Sequence, residues 1–123
     1  MNKKQLYDNS GSGSYASSVS VFGGIRAERS YQDEKWGEQD HPSIDGGTDG
    51  TGKAEIYGLP TEWDIKQSLA PLAKRGALTW ADIAIEELVE AIEAKDESMR
   101  RGELVQLAAV VVAWIENIDR RVS

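Results

Sequence analysis

Beyond residue 79 the chain is written as two apolar stretches with acids set inside them. A helix advances about 100° per residue, so in the stretch opening at Thr79 the side chains of Trp80, Ile83, Ala91 and Ala94 fall on one face. Glu87 falls on that same face. In the following stretch Glu103 shares its direction with Leu107, Val110 and Trp114. Each of two consecutive helices therefore aims a carboxylate into its buried arc, whereas Glu86, Glu90 and Glu93 fall on the polar side or at its edge. An uncompensated buried carboxylate costs several kcal/mol or takes up a proton, so a partner is required. A divalent cation is one candidate and Arg or Lys (Arg100, Arg101 or Arg120) the other.

The remaining elements follow from caps and turn formers. Residues 1–18 are rich in Ser, Gly and Asn around two tyrosines, a composition that predicts a flexible arm. Ser17 or Ser18 is the expected cap of a first helix reaching Trp36, with Val21, Phe22, Ile25, Arg29 and Trp36 along one side. Turn residues fill 37–60, including Asp45-Gly-Gly-Thr-Asp-Gly-Thr-Gly52, which predicts a long structureless loop of the kind that is functional or mobile. A second helix is expected from Thr61 to Gly76, capped through Thr61 and Asp64 and open to kinking or splitting at Pro71. The third runs from Thr79, with Asp82 completing a capping box, to about Lys95, and the fourth from Asp96 or Ser98 to about Arg121. No strand-like alternation, repeat or heptad run interrupts this pattern. The expected fold is all-α: one domain, 19–123, of four helices. The stretch from Leu104 to Ile115, apolar almost all the way round, calls for completion by oligomerisation as a homodimer or homotetramer.

Composition narrows the function by exclusion. A net charge of −7 speaks against nucleic acid or an anionic membrane as partner, since both are gripped by clustered Lys and Arg. No cysteine is present and only one histidine, His41 in a turn beside Pro42, so disulfides, thiolate chemistry and a zinc site are not expected. Neither a signal-peptide core nor an apolar run of membrane-spanning length is present, which makes a cytoplasmic location the expectation.

Spacing then brings the acids together. Glu87 and Glu90 are three positions apart, as are Glu103 and Gln106, so each pair leaves one face of its helix. The short turn between the helices predicts antiparallel neighbours, with three carboxylates and an amide oxygen converging. Hard oxygen donors of this kind suit Mg²⁺, with Mn²⁺ as substitute. The chemistry such a site supports is metal-assisted attack of water on phosphorus, with Glu86 able to take the proton. Arg29 and Lys35 are candidate triphosphate contacts and Trp36 a candidate for stacking on a base, against the plainer reading of Trp36 as core and Lys35 as solvated surface. Gly50-Thr-Gly-Lys53 lacks the spacing of a P-loop, and no strand precedes it.

These residues resemble the MazG-like, all-α nucleoside triphosphate pyrophosphohydrolases, especially the small members found in phages and actinobacteria. The family pattern is E-E-x-x-E on one helix and E-x-x-D on the next. Glu86-Glu87-Leu-Val-Glu90 matches the first part, and Glu103-Leu-Val-Gln106 the second except that Gln106 stands where the family has Asp. The stretch from Glu28 to Pro42, Leu78-Thr-Trp80 and the stretch from Glu103 to Glu116 also look like that subgroup, so the resemblance covers about 25–121. It implies that Glu87, Glu90 and Glu103 bind Mg²⁺ with Gln106 in the fourth place, and that Glu86 orients or deprotonates water. The implied reaction cleaves a nucleoside triphosphate to the monophosphate and pyrophosphate. Two other readings stand beside it: a nucleotide-binding protein of this fold with weak or no chemistry, motivated by Gln106, and a purely structural helical oligomer in which the acids pair with arginines.

Overall fold

A computed structural model describes residues 14–122, in the order α1 (Ser14–Trp36), a 3₁₀ turn (Ala54–Tyr57), α2 (Glu62–Lys74), α3 (Trp80–Ile92) and α4 (Glu97–Val122). The fold is all-α. Among the described residues the only β feature is an isolated bridge between Ile44 and Gly47, and no helix is long and apolar enough to cross a membrane. Most of the expected arm, 1–13, lies outside the described residues. Residues 14–18 already belong to α1, which starts ahead of the expected cap.

Each later helix is delimited by side-chain or glycine chemistry at its ends. The Thr61 hydroxyl accepts from the Asp64 amide at 3.1 Å to open α2. That helix runs unbroken through Pro71 and closes in a Schellman turn, with Ala77 N–H donating to Leu72 and Gly76 N–H to Ala73 at a Gly76 φ of 68°. Thr79 and Asp82 form the reciprocal capping box of α3. Asp96 accepts from the Met99 amide at 2.8 Å and so caps α4.

Ile65 and Leu69 of α2, Val89 of α3 and Ala54 of the 3₁₀ turn make the core, with Leu59, Leu72 and Leu78 packed around them. α3 and α4 form the most extensive helix pair, and they run antiparallel: the Trp80 indole N–H at the start of α3 donates to Asn117 near the end of α4 at 3.3 Å. α1 is held at its beginning, where Val21 is buried and the Ser18 hydroxyl donates to buried Glu116 at 2.8 Å. Phe22, Ile25 and Trp36 are exposed, Trp36 by 61%. The expectation of Trp36 as core is therefore wrong: no described element covers the last turns of α1, so the apolar side of that helix has nothing to pack on. Leu104, Val105 and Val111 of α4 are exposed in the same way.

The long loop is not structureless. Buried Arg100 donates from its guanidinium to the carbonyls of Ala91, Ile92 and Ala94 at the end of α3 and to those of Thr48 and Gly50 in the loop. It thereby satisfies acceptors that a helix C-terminus leaves open and places a fixed positive charge at the negative end of the helix dipole. Gly52 N–H donates to Ile92 O at 3.0 Å, an approach so close that a Cβ on residue 52 would lie 2.5 Å from that oxygen. The Glu93 carboxylate completes the attachment, accepting from the backbone amides of Ala54 and Glu62.

Candidate metal centre

The capping box fixes where α3 begins and hence which way Glu87 and Glu90, further along it, face: Glu87 is 1% exposed and Glu90 8%. Glu103, on the facing stretch of α4, is half-buried, yet its Oε2 is fully shielded from solvent. One carboxylate oxygen from each of Glu87, Glu90 and Glu103 lies within 4.8 Å of the others. The inward aim of Glu87 agrees with its angular position. Glu90 departs from expectation, being buried rather than at a polar edge, because α2 packs over that side of α3 and brings Lys66 to it.

Three carboxylates at this spacing repel one another by roughly 3 to 4 kcal/mol per pair at an effective dielectric constant near 20. Compensation must come from protons, from basic side chains or from a cation of higher charge. Oxygens sharing one Mg²⁺ ion stand about 3 to 4 Å apart, so carboxylates within 4.8 Å of one another suit such an ion with small side-chain adjustment. Burial adds to the need for a partner, because an ion of opposite charge offsets the cost of holding these carboxylates away from water. The donor set is all oxygen, as Mg²⁺ and Mn²⁺ prefer. Among the described residues, Oε2 of Glu87 and Oε2 of Glu103 are shielded without a hydrogen-bond donor of their own, while both residues have other interactions.

Gln106 is half-buried one turn beyond Glu103, on the same side of α4. Glu86 lies outside the converging group and lines a cavity of about 180 Å³ between α2 and α3, together with Lys66, Leu69, Ala70, Ala73 and Leu78. Sequence reasoning missed Lys66. Its ammonium donates to Glu62 at 2.9 Å and stands 3.7 Å from Glu90. The Glu62 hydrogen bond, followed by the charges of Glu62, Glu90 and Glu86, raises the lysine above its ordinary value against the opposing effect of burial. The signal that could have found it is the Glu62/Lys66 pair at i,i+4 on the helix preceding the acids.

The candidate substrate residues of α1 sit apart from any such convergence. Arg29 is exposed and bonded to Asp33 and Gln32 at 2.9 Å each, and the Lys35 ammonium lies 4.9 Å from the Trp36 ring centroid. All three line a wide cleft of about 870 Å³ at the end of α1, together with Glu28, Tyr31 and Glu38. Arg100 is absorbed by Glu97 and five backbone carbonyls and so is not a partner that the acids of α3 draw on. Compared with known proteins, the chain matches no family model, no curated protein and no solved structure.

Proposed function

We propose that the chain is a Mg²⁺-dependent nucleoside triphosphate pyrophosphohydrolase, converting a nucleoside triphosphate and water to the monophosphate and pyrophosphate. The observation that carries this reading is the meeting of Glu87, Glu90 and Glu103 across the antiparallel α3/α4 pair, with one oxygen of each within 4.8 Å. The order of these acids resembles that of the MazG-like family, which supplies the reaction class. Glu87, Glu90 and Glu103 would hold the ion, with the Gln106 amide oxygen one turn along α4 in the fourth place. When bound, the ion supplies neutralisation of phosphate charge and acidification of a water. Glu86, beside the triad in sequence and half-buried, accepts the proton of the attacking water. In the balanced reaction the water oxygen bonds to phosphorus, the bridging bond between the α and β phosphates breaks, and pyrophosphate leaves.

The test is direct. Incubation with Mg²⁺ and a panel of deoxynucleoside triphosphates should give monophosphate and pyrophosphate in equal amounts. Turnover no greater than that of a Glu87→Gln control sinks the proposal. Gln106 favours one second reading, a nucleotide-binding protein without chemistry, because replacing an acid by an amide removes one negative charge from the ion. Calorimetry separates the two: tight nucleotide binding without products favours the second.

A further inference from the structure

Lys66 is the residue through which α2 meets the acid group, and its placement is that of a rim. Glu90 is 8% exposed and lies inside, while the Lys66 side chain is 49% exposed and stands 3.7 Å away on the solvent side. A second acid, Glu62, holds the same ammonium at 2.9 Å from one helical turn back. The ammonium is thus suspended between a surface carboxylate and a buried one, and beside it is the small cavity it lines with Glu86.

Resting on the reading above, we infer that Lys66 is an exchangeable counter-cation, which pairs with Glu90 in the metal-free protein and with a ligand phosphate once a divalent ion has taken Glu90. The physical reason is competition for one carboxylate. A dication bound by Glu90 repels an ammonium at this distance and removes the attraction that held it. An ammonium keeps three donors, of which Glu62 occupies one. Those released stand on the solvent side of Glu90, within reach of an anion that meets a metal held there. The pair also gives order to binding: Lys66 disfavours metal without nucleotide and favours nucleotide with metal.

Mn²⁺ binding to the full chain, followed by calorimetry and by the paramagnetic resonance of free Mn²⁺, tests this without any turnover. Lys66→Met, which keeps the stem and removes the charge, should bind Mn²⁺ alone about two- to fivefold more tightly, as expected for losing one partly exposed ion pair. At saturating Mn²⁺ the same variant should bind an α,β-methylene triphosphate analogue about tenfold or more weakly, as expected for losing a charge-assisted hydrogen bond. Lys66→Arg should restore both affinities toward those of the wild type. Unchanged or weaker Mn²⁺ binding by Lys66→Met, or unchanged binding of the analogue, overturns the inference while leaving the metal site standing. Wild-type protein that binds no Mn²⁺ overturns both.

Discussion

The guanidinium of Arg100 donates a 2.8 Å hydrogen bond to the carbonyl of Gly50, a residue 50 positions earlier in the chain. Through this bond, and others to the last carbonyls of α3, one buried side chain fastens the Gly-rich loop to the helix that carries Glu87 and Glu90. Arg100→Met removes the donors and leaves several shielded carbonyls without partners, each costing about 1 to 3 kcal/mol when unsatisfied. We expect a net loss of about 2 to 4 kcal/mol, lessened by entry of water. Denaturant unfolding monitored by tryptophan fluorescence checks it; a loss under about 0.5 kcal/mol contradicts the anchoring role.

Gly52 makes the same junction from the loop side. An alanine there would place its Cβ 2.5 Å from Ile92 O and 2.9 Å from Ile92 Cγ2, and the first of these is backbone. The conflict is relieved only by moving the loop away from α3, which lengthens the Gly52 N–H to Ile92 O bond. Gly52→Ala should therefore destabilise by about 1 to 3 kcal/mol. Exposed Gly23, which meets nothing within 4 Å and lies inside α1, should respond the opposite way, with Gly23→Ala neutral or stabilising. Thermal unfolding of the two variants side by side gives the comparison.

These two residues mark where sequence reading stops. Thr79 and Asp82 are three apart and need only each other, so the start of α3 was legible, and with it the burial of Glu87. Arg100 also reaches back 50 and 52 positions to Gly50 and Thr48, Gly52 meets Ile92 from the far side of α2, and Glu93 holds Ala54 across 39 positions. No local spacing rule announces such pairs. Glu90 illustrates the same limit: helix periodicity places it at an edge, and only the packing of α2 against α3 buries it. Trp36 fails in the other direction, since large apolar residues are core by default and nothing in its neighbourhood reveals that the end of α1 lacks a covering element.

Glu97 offers a pH test away from the acid group. Ser43, donating at 2.7 Å, and Arg100 hold its carboxyl below the ordinary 4.5. A carboxyl depressed in the folded state stabilises the fold above its unfolded value, and that contribution is lost as pH falls through the folded value. The difference in Tm between wild type and Glu97→Gln should thus be present at neutral pH and shrink below about pH 4.5. A difference that stays constant from pH 7 to pH 3 rules this out.

Glu103→Leu separates a metal centre from a structural use of the same acids. The carboxylate is half-buried among other negative charges, with Oε2 shielded from solvent. With no ion bound, Glu103→Leu relieves the mutual repulsion of these carboxylates, whereas removing one partner of a buried ion pair costs about 3 to 5 kcal/mol. In EDTA the variant should therefore melt at or above the wild-type temperature. Added Mg²⁺ should raise the wild-type Tm, since a ligand at about 100 times its Kd contributes about 2.7 kcal/mol to the folded state, and should leave Glu103→Leu unmoved. If wild type and variant respond alike to Mg²⁺, the triad is not where the ion binds. If instead the variant is destabilised by several kcal/mol in EDTA, Glu103 is part of an ion-pair network within the fold, and the structural reading of these acids gains the ground that the metal reading loses.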